Sequence, residues 1–108
     1  LEFNPYGASF VLHLARASAL DGKANGLTAS ETTDSIECGA RMCSRTTVSR
    51  SVAEPEPHSE YLRSLPWGGD NIERTTVVFE PKTQIIHSYV VTFDDVTLHE
   101  FHLEDYPA

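Results

Sequence analysis

Apolar and polar positions alternate most regularly in the last third of the chain. The run Thr75-Thr76-Val77-Val78-Phe79 is followed by a turn at Glu80-Pro81-Lys82-Thr83, a long run over residues 85–93, the polar pair Asp94-Asp95, and a third run over 96–103. Stretches rich in β-branched and aromatic residues, separated by short polar turns, predict a three-strand antiparallel meander. In its middle strand Ile85, His87, Tyr89, Val91 and Phe93 share one face, the expected core face, while Ile86, Ser88, Val90 and Thr92 share the other. Both faces of the last strand are mixed, which suits a strand that is covered on both sides or lies at an interface.

Earlier in the chain, Thr/Ser-rich residues 27–36 and the stretch 45–52, with Thr46, Thr47 and Val48, read as two strands flanking a turn at Cys38 and Cys43. Residues 10–17 fit either a strand with Phe10, Leu12 and Leu14 on one face or a helical stripe of Phe10, Val11, Leu14 and Ala17. The turn signals on either side, Asn4-Pro5-Tyr6-Gly7 and Asp21-Gly22-Lys23-Ala24-Asn25-Gly26, favour the strand. Glu54-Pro55-Glu56-Pro57 breaks any regular element, and residues 59–65 allow a helical turn or two before the loop Pro66-Trp67-Gly68-Gly69-Asp70. The expected fold is one mainly β domain over residues 1–108, a small antiparallel sandwich or barrel with a C-terminal meander and at most one short helix. Leu1-Glu2-Phe3 is native sequence or a cloning remnant and is set aside.

Composition narrows the function classes. The 108 residues carry 16 acidic and 8 basic side chains, a net charge of −8, with 40% hydrophobic residues. That apolar content argues for folding rather than acidic disorder. An acidic balance disfavours sequence-independent binding to DNA or anionic membranes, which needs lysine and arginine to displace counterions. Charge is nonetheless uneven: Arg41, Arg45 and Arg50 lie in a stretch without acids, a local basic patch, while Glu80, Asp94, Asp95, Glu100, Glu104 and Asp105 face only Lys82 in residues 75–108. This acidic third would steer cationic partners. No apolar run is long enough to span a bilayer, and the start lacks signal-peptide features, so the expectation is a soluble protein whose leader, if exported, is already removed. Cys38 and Cys43 stand five apart without a CxxC spacing, and Gly39 lets the chain turn between them. A local disulfide and an oxidising, secreted or extracytoplasmic location follow as expectations.

Candidate chemistry is sparse. His99-Glu100-Phe101-His102 offers three metal-ligand types, but on a strand only Glu100 and His102 share a face, short of the three or four ligands zinc requires. The segment from Asp21 to Gly26 is a poor calcium loop, since Lys23 occupies a ligand position, so no metal or other cofactor is expected. There is no Gly-x-Ser-x-Gly elbow and no phosphate loop, Gly68-Gly69 lacking the required spacing. Five histidines in an acidic chain suggest pH-dependent behaviour between about pH 5 and 7.

Metal-free phosphodiester cleavage needs only a base, an acid and a cation to hold phosphate. Pro57-His58, Arg74 and Val77-Val78-Phe79 resemble the guanyl-specific fungal ribonuclease family, over residues 57–103 at most. The resemblance implies an endoribonuclease with His58 as base or electrostatic partner, Arg74 as phosphate clamp and His87 as substitute for the family's second histidine. Only fifteen residues separate His58 from Arg74, too few for the strand that presents the family's catalytic glutamate. The departure points to ribonuclease-like secreted fungal effectors, which keep the scaffold and lose the chemistry. A non-enzymatic recognition role of effector type, with a protein partner, is therefore the first expectation, and an RNA-cleaving enzyme the second. Tyr61, Arg63 and Trp67 are the candidate binding residues, being of types enriched at interface hot spots. For Trp67 the favoured role is structural, closing one end of the core with Leu62 and Leu65. Partner identity and oligomeric state are open at this level.

Overall fold

The computed structural model describes residues 7–24, 26–52, 64–67 and 69–102. An α-helix, α1 (Gly7–Ala24), precedes five strands: β1 (Ala29–Cys38), β2 (Arg41–Ser51), β3 (Ile72–Phe79), β4 (Ile86–Phe93) and β5 (Val96–His102). The strands form one open antiparallel sheet in the order β1-β2-β3-β4-β5, so every strand pairs with its neighbour in sequence. The mainly β class, the strands on either side of the cysteine turn and the C-terminal meander all stand. Among the described residues no second sheet forms a sandwich and the ends do not join into a barrel; the helix supplies the second layer instead.

The expected strand over residues 10–17 is corrected to the middle of α1, which at 18 residues is also longer than the short helix anticipated. The local signal that permits it is alanine. Ala8, Ala15, Ala17, Ala19 and Ala24 favour helix intrinsically, and the buried Ala8, Leu12 and Ala19 fall on one helical stripe. Of the segment Asp21–Gly26, expected to be a hairpin-like connection, Asp21–Ala24 complete the helix and Gly26 lies past its end. The Gly26 N–H donates to the Lys23 carbonyl at 3.1 Å and the Leu27 N–H to the Gly22 carbonyl at 2.9 Å, with Gly26 at φ +85°. This paired closure is the Schellman arrangement, which wants a residue without a Cβ at the left-handed position.

At its other end α1 is tied to the β3–β4 turn. The Ala8 N–H donates to the Gln84 carbonyl at 3.0 Å, and Ser9 Oγ donates to Gln84 Oε1 at 2.7 Å. A Cβ on Gly7, itself at φ +48°, would lie 2.4 Å from the Gln84 carbonyl oxygen.

Register places two rows of side chains under the helix: Glu31, Val48, Thr75, Val91, His99 and Thr33, Thr46, Val77, Tyr89, Phe101. Ala8, Leu12, Ala19, Val48, Val77 and Ile86 make the core, with Val11, Ala15, Ala29, Phe79 and Tyr89 packed against it. The buried Thr46 hydroxyl is satisfied by Thr33 at 3.1 Å, so a polar residue sits in this layer without leaving an unpaired group. The opposite face is mostly hydroxylated and charged, with the row Thr32, Thr47, Thr76, Val90, Glu100 crossing all five strands.

The expected core face of β4 holds for Tyr89, Val91 and Phe93 but not for Ile85 and His87. Val78 pairs with Ser88 whereas Phe79 pairs with Ile86, so His87 is an extra residue in a bulge and Ile86 turns into the core. A bulge adds one residue to one strand and reverses the alternation beyond it. Sequence alternation carries no mark of that switch.

Candidate functional site

Of the residues expected to cleave RNA, the two that are described, Arg74 and His87, stand apart. Arg74 pairs with Thr92 near one end of β3, while His87 lies beyond Ser88, which pairs with Val78 near the other. Strand rise puts roughly 15 Å between them. Arg74 lies 3.8 Å from Asp95. His58 lies outside the described residues, as do Tyr61 and Arg63 of the expected binding surface. Trp67 is described and half-buried, its ring meeting that of the fully buried Phe93 edge-on at 5.1 Å between centroids. That contact matches the structural role favoured for Trp67.

The basic patch is dissolved by pairing. Arg41 is bound to Glu80, Arg45 to Asp34 and Arg50 to Glu73, and alternation sends Arg45 and Arg50 to opposite faces of the sheet. Three cations clustered within residues 41–50 thus acquire three separate acids, a fact that sequence clustering alone conceals. The hydrogen bond from Arg45 holds the Asp34 carboxyl below its ordinary value, and those from Thr83 and Arg41 do the same for Glu80. Arg16 on α1 grips Glu31 on β1 with two hydrogen bonds of 2.8 and 2.6 Å, lowering the Glu31 pKa and clamping the helix to the sheet.

On β5, Glu100 and His102 share a face and are bonded to each other at 2.8 Å, while His99 is on the helix side opposite Val91. The division of this trio between faces is as the strand reading expects.

A different feature emerges from the packing. The helix contacts β1, β2 and β3, and beside it the sheet face over β4 and β5 is left as a groove of about 300 Å³. Leu14 and Val11 form one wall, and Tyr89, Val91 and His99 form the floor and the far side. Phe10, Leu14 and Phe101 are each large, apolar and exposed by between 42% and 52%. Phe101 stands directly across from Tyr89, so the apolar surface runs out to β5, the last strand of the sheet. At the groove's polar end Arg50 and Glu73 are paired at 2.7 Å, both more than two-thirds buried. The groove is concave and predominantly apolar with a small polar fixture, the usual constitution of a binding site.

Sequence reasoning missed Leu14, Tyr89 and Phe101 as a set because it placed residues 10–17 in a strand. Read as a helix, Phe10 and Leu14 fall one turn apart, on the side away from the Ala8–Leu12–Ala19 stripe, and that second apolar stripe is the available signal. Among the described residues no helix is long and apolar enough to cross a membrane. Cys38 and Cys43 are joined in a disulfide across the β1–β2 turn, with Cα atoms 5.8 Å apart, as expected. No protein-family model, no curated protein and no solved structure matches this chain.

Proposed function

We propose that this protein is a non-enzymatic recognition module that receives an extended, basic and apolar segment of a partner protein in the groove between α1 and β5. The observation that carries this reading is the placement of the helix over one side of the sheet, which leaves Leu14, Tyr89 and His99 around a concave strip, with the exposed Phe101 beside Tyr89 on the outermost strand. An edge strand offers unpaired backbone groups to an incoming strand, and alternate side chains of that strand would enter the groove. The net charge of −8 supports a cationic partner by raising the encounter rate and rejecting acidic ones. The disulfide supports work in an oxidising compartment, secreted or extracytoplasmic.

The test uses labelled peptides in which valine or leucine alternates with lysine, beside peptides with glutamate in place of lysine. Binding of the lysine series that weakens with salt and is lost in Phe101→Glu and Leu14→Glu, with circular dichroism unchanged, is the expected result. Equal binding of both series, or none, overturns the reading. So does chelator-resistant RNA cleavage that disappears in His58→Ala, which would restore the endoribonuclease alternative.

A further inference from the structure

We propose that Cys38, Cys43 and His87 form a metal site when the disulfide is reduced, taking a thiophilic cation of the Zn²⁺ type. The ligand atoms of the three residues all lie within 4.8 Å of one another. They come from three strands. Cys38 ends β1, Cys43 lies two residues into β2 where it pairs with Ile36, and His87 is the bulged residue of β4.

The bulge explains why His87 is present at all. In regular alternation residue 87 would share the face of Tyr89 and Val91, whereas the shift between Val78 and Phe79 frees it from that pattern. Bulges re-aim single side chains in this way. The same end of the sheet brings the hairpin tip alongside, because Ser44 pairs with Phe79 and Phe79 with Ile86. Cys43 is buried, while Cys38 and His87 are partly exposed, so the site has a closed side and an open side.

The chemistry balances in two steps. Two thiols of a small-molecule or protein reductant give up two electrons and two protons to the disulfide, leaving Cys38 and Cys43 as thiols and the reductant as its own disulfide. One divalent cation then replaces the two thiol protons, which go to solvent, and takes a nitrogen lone pair from His87. Zinc–sulfur and zinc–nitrogen bonds of about 2.3 and 2.0 Å separate tetrahedral ligand atoms by roughly 3.5 Å, so the three groups need shift little beyond the parting of the sulfurs. Two thiolates and an imidazole select Zn²⁺ or another soft cation over Mg²⁺ or Ca²⁺, with water in the fourth position. A small-molecule disulfide that accepts the two electrons and two protons, becoming two thiols, returns the Cys38–Cys43 staple and releases the metal, since a disulfide sulfur is no thiolate ligand.

The probe is Co²⁺, added without oxygen to the full chain reduced by a phosphine and, in parallel, to the oxidised chain. One equivalent bound by the reduced protein, with thiolate-to-cobalt charge-transfer absorption and none in the oxidised protein, is the expected result. His87→Ala should weaken that binding about tenfold or more. Reduced protein that binds no cobalt, or binds it equally without His87, overturns the proposal. Independently of any variant, Zn²⁺ should protect both thiols of the reduced protein from alkylation, and alkylation at an unchanged rate is equally decisive against it.

Discussion

Asp94 and Ile72 are hydrogen-bonded in both directions. The Asp94 N–H donates to the Ile72 carbonyl at 2.9 Å, and the Ile72 N–H donates to Asp94 Oδ1 at 2.9 Å, while Oδ2 accepts from the Asn71 N–H. The β4–β5 turn thereby fastens the start of β3, and both its residues, Asp94 and Asp95, have positive φ. Asp94→Ala should cost about 1–3 kcal/mol in urea unfolding, because two backbone donors lose their acceptor. Asp94→Asn keeps one acceptor oxygen and should cost less; the reverse order would refute this account of the turn.

Gly7 and Gly26 both have positive φ but differ in surroundings. A Cβ at Gly26 meets nothing within 4 Å, whereas one at Gly7 runs into the Gln84 backbone. Gly26→Ala should therefore cost only the backbone penalty, about 1–2 kcal/mol. Gly7→Ala should cost more and loosen α1 from the β3–β4 turn, read as faster amide exchange at Ala8. Equal losses for the two variants would show that the Gln84 contact does not matter.

Trp67 and Phe101 separate packing from recognition. Trp67→Ala removes the edge-on partner of a fully buried ring and should lower stability by about 2 kcal/mol or more. Phe101→Glu replaces an exposed side chain and should change unfolding by no more than about 0.5 kcal/mol while abolishing peptide binding. A Phe101 variant as unstable as the Trp67 variant would mean that the groove is core.

Acid should weaken the fold through Glu31, Asp34 and Glu80. Hydrogen bonds from Arg16 to Glu31, from Arg45 to Asp34, and from Thr83 and Arg41 to Glu80 hold these carboxyls below their ordinary values of 4.5, 3.8 and 4.5. A depressed carboxyl contributes stability that is present above its unfolded pKa and lost as pH falls through the folded one. The melting temperature should decline from about pH 5 downward, and high salt should shrink the decline, most of all for the Arg16–Glu31 and Arg45–Asp34 pairs, whose side chains reach solvent. In Arg45→Gln the acid limb should be shallower; limbs that superimpose would remove Asp34 from the explanation.

Replacing Cys38 and Cys43 together by serine should cost about 2 kcal/mol, the loop-closure entropy of so short a ring. A larger loss would mean that the turn depends on the bond for its conformation.

Residues 75–103 displayed the meander directly, because period-two alternation with turn residues at its breaks is a local property. The cysteine hairpin was legible for the same reason, with Gly39 at φ +64° between the two sulfurs. What tertiary structure alone decided was non-local. Whether residues 10–17 became helix or strand depended on a sheet face that needed covering, and small residues at Ala8, Ala15 and Ala19 allowed a helix to approach it. The one-residue slip at His87, the dispersal of three arginines onto separate acids and the groove at Tyr89 each arise from pairing between distant segments. Such pairings are set by register and by the area one element leaves uncovered on another, quantities that exist only once the chain has folded.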